Sequence, residues 1–248
     1  MRVKALIVLF AALAMWEMAI RLGFLSGFLF PSMVDVAYSL NKLIVSGILV
    51  NHYLASLIRV LVGFTLGSIA GVAVGVAMGY SRVVYDSTFL ILTLLYSIPA
   101  VAWIPLLIVW IGLRELLPIA VVFLCSFVPL VFITLTGVRG VDRNVINVAK
   151  TLGACRWKLV TSIIIPQALP SILSGLKVEI GMAWRSCFVA EMVAMSSGLG
   201  FLAMEASSML RVDVIIVTVT VLAASNYLFQ ELFERLELMI TKRRGDVA

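Results

Sequence analysis

A single histidine, three cysteines and a charged fraction of only 13% leave this 248-residue sequence short of what soluble enzymes are built from. His52 stands alone, which argues against a histidine metal cluster or a nucleophile-histidine triad. Cys125, Cys155 and Cys187 are odd in number and far apart, with neither CxxC pairs nor ligand spacing, so a disulfide framework and a zinc site are both unsupported. The charged fraction is about half the usual ~25%, too little for a solvated shell. No stretch reads G-x-x-x-x-G-K-[ST], the loop that cradles nucleotide phosphates. Neither an internal repeat nor a charged coupling-ion site stands out, which speaks against a secondary transporter of the inverted-repeat kind.

What the sequence has is apolar length. Hydrophobic residues make up 62% of it, and mean hydropathy is +1.14. In lipid every backbone group must be satisfied internally, so only helices or closed barrels serve. A barrel would show segments of ~10 residues alternating in polarity; here the apolar runs are continuous and longer. The expected fold is all-α, a polytopic transmembrane bundle forming one domain over 1–248. The net charge of +6 sits in short clusters between apolar runs, which fits the positive-inside bias better than a nucleic-acid surface.

About six spans are expected, at 5–24, 59–79, 88–112, 117–138, 169–193 and 213–233, each near the ~17–25 residues that cross a bilayer. The first resembles a signal peptide, with Arg2 and Lys4 before an apolar run, but its hydrophobic length suits an uncleaved span. Charge sets the sidedness. With the N-terminus inside, Arg2, Lys4, Arg82, Arg139, Arg143, Lys150, Arg156, Lys158, Arg235, Lys242, Arg243 and Arg244 are cytoplasmic. Only Arg21, Lys42, Arg59, Arg114 and Arg211 fall outside or at span edges, so both termini are cytoplasmic. Residues 30–53 read as an amphipathic helix lying on the outer surface, and 195–212 as a second external segment turning at Gly198-Leu199-Gly200.

Within the spans, three features carry information. Gly63, Gly67, Gly71, Gly75 and Gly79 recur every fourth residue and form a smooth strip for a close helix neighbour. Pro99 and Pro105 remove backbone donors from the third span and bend it, either as a gate at a cavity or as a structural kink. Arg185 lies mid-span beside Trp184. It presents positive charge to an anionic solute, or it is buried in an ion pair with Glu17, Glu179 or Glu191. A pathway lined by Tyr96, Pro99, Trp103, Trp184, Arg185, Glu191 and Met195 is the working hypothesis.

The loop 139–167 is the one long cytoplasmic connection. It carries five basic residues and Trp157, with two helical patches meeting near Gly153. A connection of this length is expected to have a function, as a lipid-surface retention element or as a docking element for a cytoplasmic partner. Its residues Asn147-Val148-Ala149, Gly153 and Ile163-Ile164-Ile165-Pro166 resemble the EAA loop of type I ATP-binding-cassette (ABC) importer permeases. Ala149, Gly153, Ile163 and Pro166 match at the right spacing, while Asn147, Val148 and Ile165 replace that pattern's Glu, Ala and Leu. Trp16-Glu17, Phe30-Pro31-Ser32, Ser56–Val60, Ile98-Pro99, Trp110–Leu113, Ala183-Trp184, Ala190–Met192 and Ser197–Gly200 are similar to segments of the sulfonate, taurine and nitrate permeases.

That resemblance implies a type I importer permease in the cell inner membrane, working as a homodimer with two ATPase subunits and an external solute-binding protein. The chain would not itself be an enzyme or hold a cofactor, since ATP and magnesium would be bound by the partner ATPase. Ala149, Gly153, Arg156, Trp157 and Pro166 would couple to that ATPase. The solute would be a small anion of the alkanesulfonate, taurine or nitrate kind, with a pyrimidine precursor as the alternative.

Overall fold

The structure is a computed structural model that describes residues 11, 14–20, 22 and 29–245. Most of the expected first span, 5–24, lies outside those residues, as do Arg2 and Lys4. Residues 14–20 are helical, and two hydrogen bonds tie them to the start of the next helix. Trp16 Nε1 donates to the Pro31 carbonyl at 3.3 Å, and the Met33 amide donates to Glu17 at 3.1 Å.

Helix α1 (Met33–Val45) starts at a capping box in which Ser32 and Asp35 satisfy each other's amides. Its buried side is narrow, Ser39 and Leu43, while Tyr38 and Val45 are exposed, as an amphipathic surface helix should be. The surface helix expected over 30–53 is shorter than that range. Gly47 turns the chain at φ +73, and residues 48–53 already belong to α2 (Ile48–Tyr80), a helix of 33 residues.

The glycine strip of α2 lies against α5 (Leu116–Arg139) in the most extensive helix contact of the bundle. A Cβ at Gly75 would stand 2.6 Å from Thr134 Cβ, and one at Gly67 would stand 2.8 Å from the Phe123 carbonyl oxygen. Without side chains the two backbones approach closely, and dispersion contacts replace the hydrophobic drive that lipid does not supply.

Between them, the single third span expected over 88–112 is two helices. α3 (Arg82–Tyr96) and α4 (Ala100–Ile111) meet at 98°. Pro99 stands at the N-cap of α4 and cannot donate backward, so the backward bonds of α3 end with the Ile98 amide on the Leu95 carbonyl, and the residue before a proline is pushed out of the helical region. Pro105 lies inside α4, which runs on through it. The bend therefore belongs to the Pro99 position.

After α5, α6 (Arg143–Thr151) and α7 (Arg156–Leu159) form the loop, and a π-helical turn (Val160–Ile164) leads into α8 (Ile165–Ala194). Pro166 explains the wider turn. It has no amide, and the Ile165 amide reaches back to Val160, so the ladder slips one residue there without breaking. From Arg156 to Ala194 the column is apolar enough to span over 39 residues. α9 (Leu199–Ser208) occupies the second external segment, and α10 (Val212–Gly245) closes the bundle. Among the described residues four helices are long and apolar enough to cross a membrane, five if the bent α3–α4 pair is one broken span.

Candidate functional site

Three places along α8 gather polar groups in this apolar bundle: its outer end, its middle, and the loop that precedes it.

At the outer end, Glu191 is fully buried and completely answered. Arg59 of α2, itself 2% exposed, donates from Nη1 to Glu191 at 2.8 Å and to the Ser197 carbonyl at 2.7 Å. Nε and Nη2 of the same guanidinium grip Glu115, at the head of α5, at 2.6 and 2.8 Å, and Nη2 also reaches Ser197 Oγ at 2.6 Å. Ser56 and the Gly200 amide complete the shell around Glu191 at 2.8 and 3.1 Å. Gly198 folds over it at φ +108, where an added Cβ would collide with the carboxylate, and its amide donates to His52 Nδ1 at 3.0 Å. A buried charge pair survives only when its remaining polar atoms are also bonded, and here they are. The guanidinium holds the Glu115 carboxyl below its ordinary range, chiefly through their hydrogen bonds. One arginine thus fastens α2, the head of α5, the end of α8 and the 195–200 turn.

In the middle, the break between α3 and α4 opens a cavity of about 400 Å³ against α5 and α8. Tyr96, Pro99 and Trp103 line it with Cys125, Glu179 and Met182. Such a volume lies in the ~300–1,000 Å³ range of small-molecule sites. Its level is central, because Leu124–Pro129 lies midway along α5 and Glu179 midway along α8. Irregular backbone at membrane depth is tolerated where it borders a cavity.

The other sequence-derived pathway residues are placed elsewhere. Trp184 is 1% exposed in the bundle core, stacked on Tyr53 and tilted against Phe229, with ring centroids 6.1 and 5.8 Å away. Glu191 is enclosed by Arg59, and half-buried Met195 caps the end of α8, so neither lines the cavity. Arg185 is exposed, with Nη1 3.8 Å from the sulfur of Met182 at the cavity wall. Of the carboxylates weighed as its partner, Glu191 is held by Arg59, Glu17 accepts the Met33 amide, and Glu179 keeps one oxygen without a hydrogen-bond partner among the described residues.

Sequence reasoning missed Arg59 as a site residue and counted it among the outer charges. The signal was present, for Arg59 falls four residues before Gly63 and continues the glycine strip, so it had to face α5.

In the loop, Gly153 takes φ +80 and makes the turn between α6 and α7. Ala149 is placed inward: it is buried with Val138, Val141, Leu159 and Ile164, and so seats α6 on the bundle instead of facing outward. Pro166 is half-buried at the start of α8 and shapes the π turn. The outward face carries Val148, Leu152 and Trp157 at 59%, 83% and 77% exposure, flanked by exposed Lys150, Arg156 and Lys158. Arg139, over the Tyr85 ring at 3.8 Å, ties the neighbouring α3 and α5 ends together.

The family described as binding-protein-dependent transport system inner membrane component matches residues 63–238. An aliphatic sulfonates transport permease protein of Bacillus subtilis is 31% identical over 242 residues, covering 98% of this chain and 88% of that protein. The taurine transport system permease protein of Escherichia coli is 33% identical over 196 residues, 79% of this chain and 71% of that one. A permease protein of Methanocaldococcus jannaschii, 40% identical over 172 residues, is spanned over 64% of its length. In structure the chain is similar to the inward-facing MetNI methionine ABC transporter, with TM-score 0.67 at 17% identity, covering 79% of this chain and 97% of that one.

Proposed function

Because the chain belongs to the family of binding-protein-dependent transport inner membrane components, we propose that it is the permease subunit through which a small anionic solute crosses, driven by a separate ATPase. The observation that carries this reading is the outward face of the 143–159 loop. Val148, Leu152 and Trp157 are exposed on a segment whose inner side, Ala149 and Leu159, is packed into the bundle. Exposed apolar side chains on a firmly seated support make a docking surface, and tryptophan and arginine are the types that dominate binding energy at such surfaces.

In this mechanism two copies of the chain pair in the cell inner membrane, two ATPase subunits bind the loops from the cytoplasm, and a binding protein delivers solute from outside. ATP and magnesium are held by the ATPases, and this chain performs no hydrolysis. Closure of the ATPase pair shifts the loops, and the bundle moves between inward- and outward-open populations. A sulfonate-type solute passes by the central cavity, and exposed Arg185, against the outer side of its Met182 wall, offers planar donors suited to an oxyanion.

The decisive measurement is binding of the cognate ATPase to purified wild-type and altered permease. Trp157→Ala and Leu152→Asp are expected to weaken it about 30-fold, the size of a ~2 kcal/mol hot spot, with thermal stability unchanged because both side chains are exposed. Unchanged affinity in both variants, or solute uptake that proceeds without ATP, would replace this reading with that of a secondary transporter.

A further inference from the structure

His52, the one histidine of the sequence, has no part in the transport reading, yet it stands at the joint that closes the outer end. Its ring stacks on Phe201 of α9, with centroids 5.8 Å apart, and its Nδ1 accepts the Gly198 amide at 3.0 Å. A backbone amide can only donate, so this bond requires an imidazole whose Nδ1 carries no proton. An imidazolium donates from both nitrogens and offers no acceptor. Protonation therefore removes the bond and sets a positive charge against the Gly198 amide.

The turn that this ring holds is the one that completes the Arg59 fastening. Ser197 gives Arg59 its carbonyl and hydroxyl oxygens, the Leu199 amide donates to Ser56, and the Gly200 amide donates to Glu191. Gly198 sits among these bonds at φ +108, so its position sets that of its neighbours. The His52 side chain is half-buried, which leaves protons of the outer medium a way to it. Charged groups come toward this corner from several elements. They are Arg59 on α2 itself, Glu191 from α8, Glu115 from the head of α5, Glu205 one turn past Phe201 on α9, and Asp35 and Lys42 on α1, which packs on α2. Among the described residues none of them bonds the ring, and Arg59, Glu191 and Glu115 are spent on one another.

We propose that His52 is an acid-released pin of the outer fastening. Neutral, it holds the 195–200 turn over Glu191; protonated, it frees the turn and shifts the bundle toward states open to the outside. The pin follows from the local geometry. Its effect on which end opens rests on the importer reading, so the test reads the pin in the permease alone.

The experiment uses the full chain, purified without a histidine tag and held in lipid nanodiscs, with its histidine ring labelled with nitrogen-15. One histidine gives one imidazole spectrum. At about pH 8 it should show a bare Nδ1 and a protonated Nε2, and at about pH 5 a proton on both. Amide exchange over 198–203, expressed as protection relative to the intrinsic rate at each pH, should rise about tenfold or more in the same interval. Amides of the glycine strip, 63–79, should hold. His52→Gln, whose side chain keeps one charge state throughout, should abolish the response. A proton on Nδ1 at the higher pH overturns the proposal, as does a ring that stays neutral at the lower one. Protection that stays level while the ring titrates overturns it too, and an equal loss in His52→Gln would assign the response to a carboxylate instead. Should His52→Gln not assemble, the wild type decides by itself: ring protonation and loss of protection must share a midpoint, and separate midpoints overturn the pin. None of these outcomes touches the importer reading, which stands or falls with ATPase binding.

Discussion

Two buried carboxylates stand twelve residues apart on α8 and live under opposite rules. Glu191, at the outer end, is enclosed by Arg59, Ser56 and the Gly200 amide. Glu179, in the middle, keeps an oxygen with no hydrogen bond among the described residues. The same residue type on the same helix is thus a fastening at one level and an open group at another. The difference lies in the neighbours. Around Glu191 the chain supplies an arginine and a tight turn; around Glu179 it supplies a broken helix and a cavity. Burial alone therefore says little about a charge's role, and the number of its bonded atoms says more.

The largest test of the contrast removes the fastening. Arg59→Gln should destabilise the purified permease by about 3–5 kcal/mol, because it leaves Glu191 buried and uncompensated. In a thermal melt in detergent this appears as a large fall in Tm or as failure to assemble. Glu179→Gln should cost less than ~1 kcal/mol or raise the Tm, since the amide replaces a carboxylate that keeps one oxygen without a hydrogen bond among the described residues. If the two substitutions proved equally harmful, the distinction would be lost.

Gly198→Ala should come next, at about 1–3 kcal/mol in the same melt, since it forces a Cβ into the left-handed region and against the Glu191 carboxylate. The smallest effect belongs to Glu115, whose side chain is 68% exposed. Its folded-state pKa is lowered, so its contribution is present above the ordinary carboxylate value and disappears as pH falls through the lowered one. Glu115→Gln should therefore lower the neutral-pH Tm only slightly, under ~1 kcal/mol, and make no difference once the medium is acid enough to protonate Glu115.

Much of the architecture could be read from the sequence because it depends on one helix at a time. Glycine spacing reports a single helix surface, and the strip from Gly63 to Gly79 does meet a neighbour along its whole length. Pro99 marked a bend correctly, yet a proline's identity does not say how far the next helix swings, and 98° turned one expected span into two helices. The 139–167 loop was recognisable by length and charge. Which of its residues faced inward was not, because Ala149 is apolar and small enough for either side, and packing against Val138 and Leu159 decided it. Arg59 with Glu191 was the hardest feature to foresee. The two residues are 132 positions apart, and nothing local to either one names the other.

The unbroken column from Arg156 to Ala194 has a mechanical consequence. Thirty-nine helical residues make a beam of about 58 Å. The loop face stands at one tip, the Arg59 fastening at the other, and Glu179 lies a little beyond halfway along. A tilt of about ten degrees about the midpoint moves each tip by about 5 Å but barely displaces the centre. The Glu179 carboxylate near that fulcrum keeps its place while both arms swing, so the cavity beside it stays level as the two ends of the bundle move.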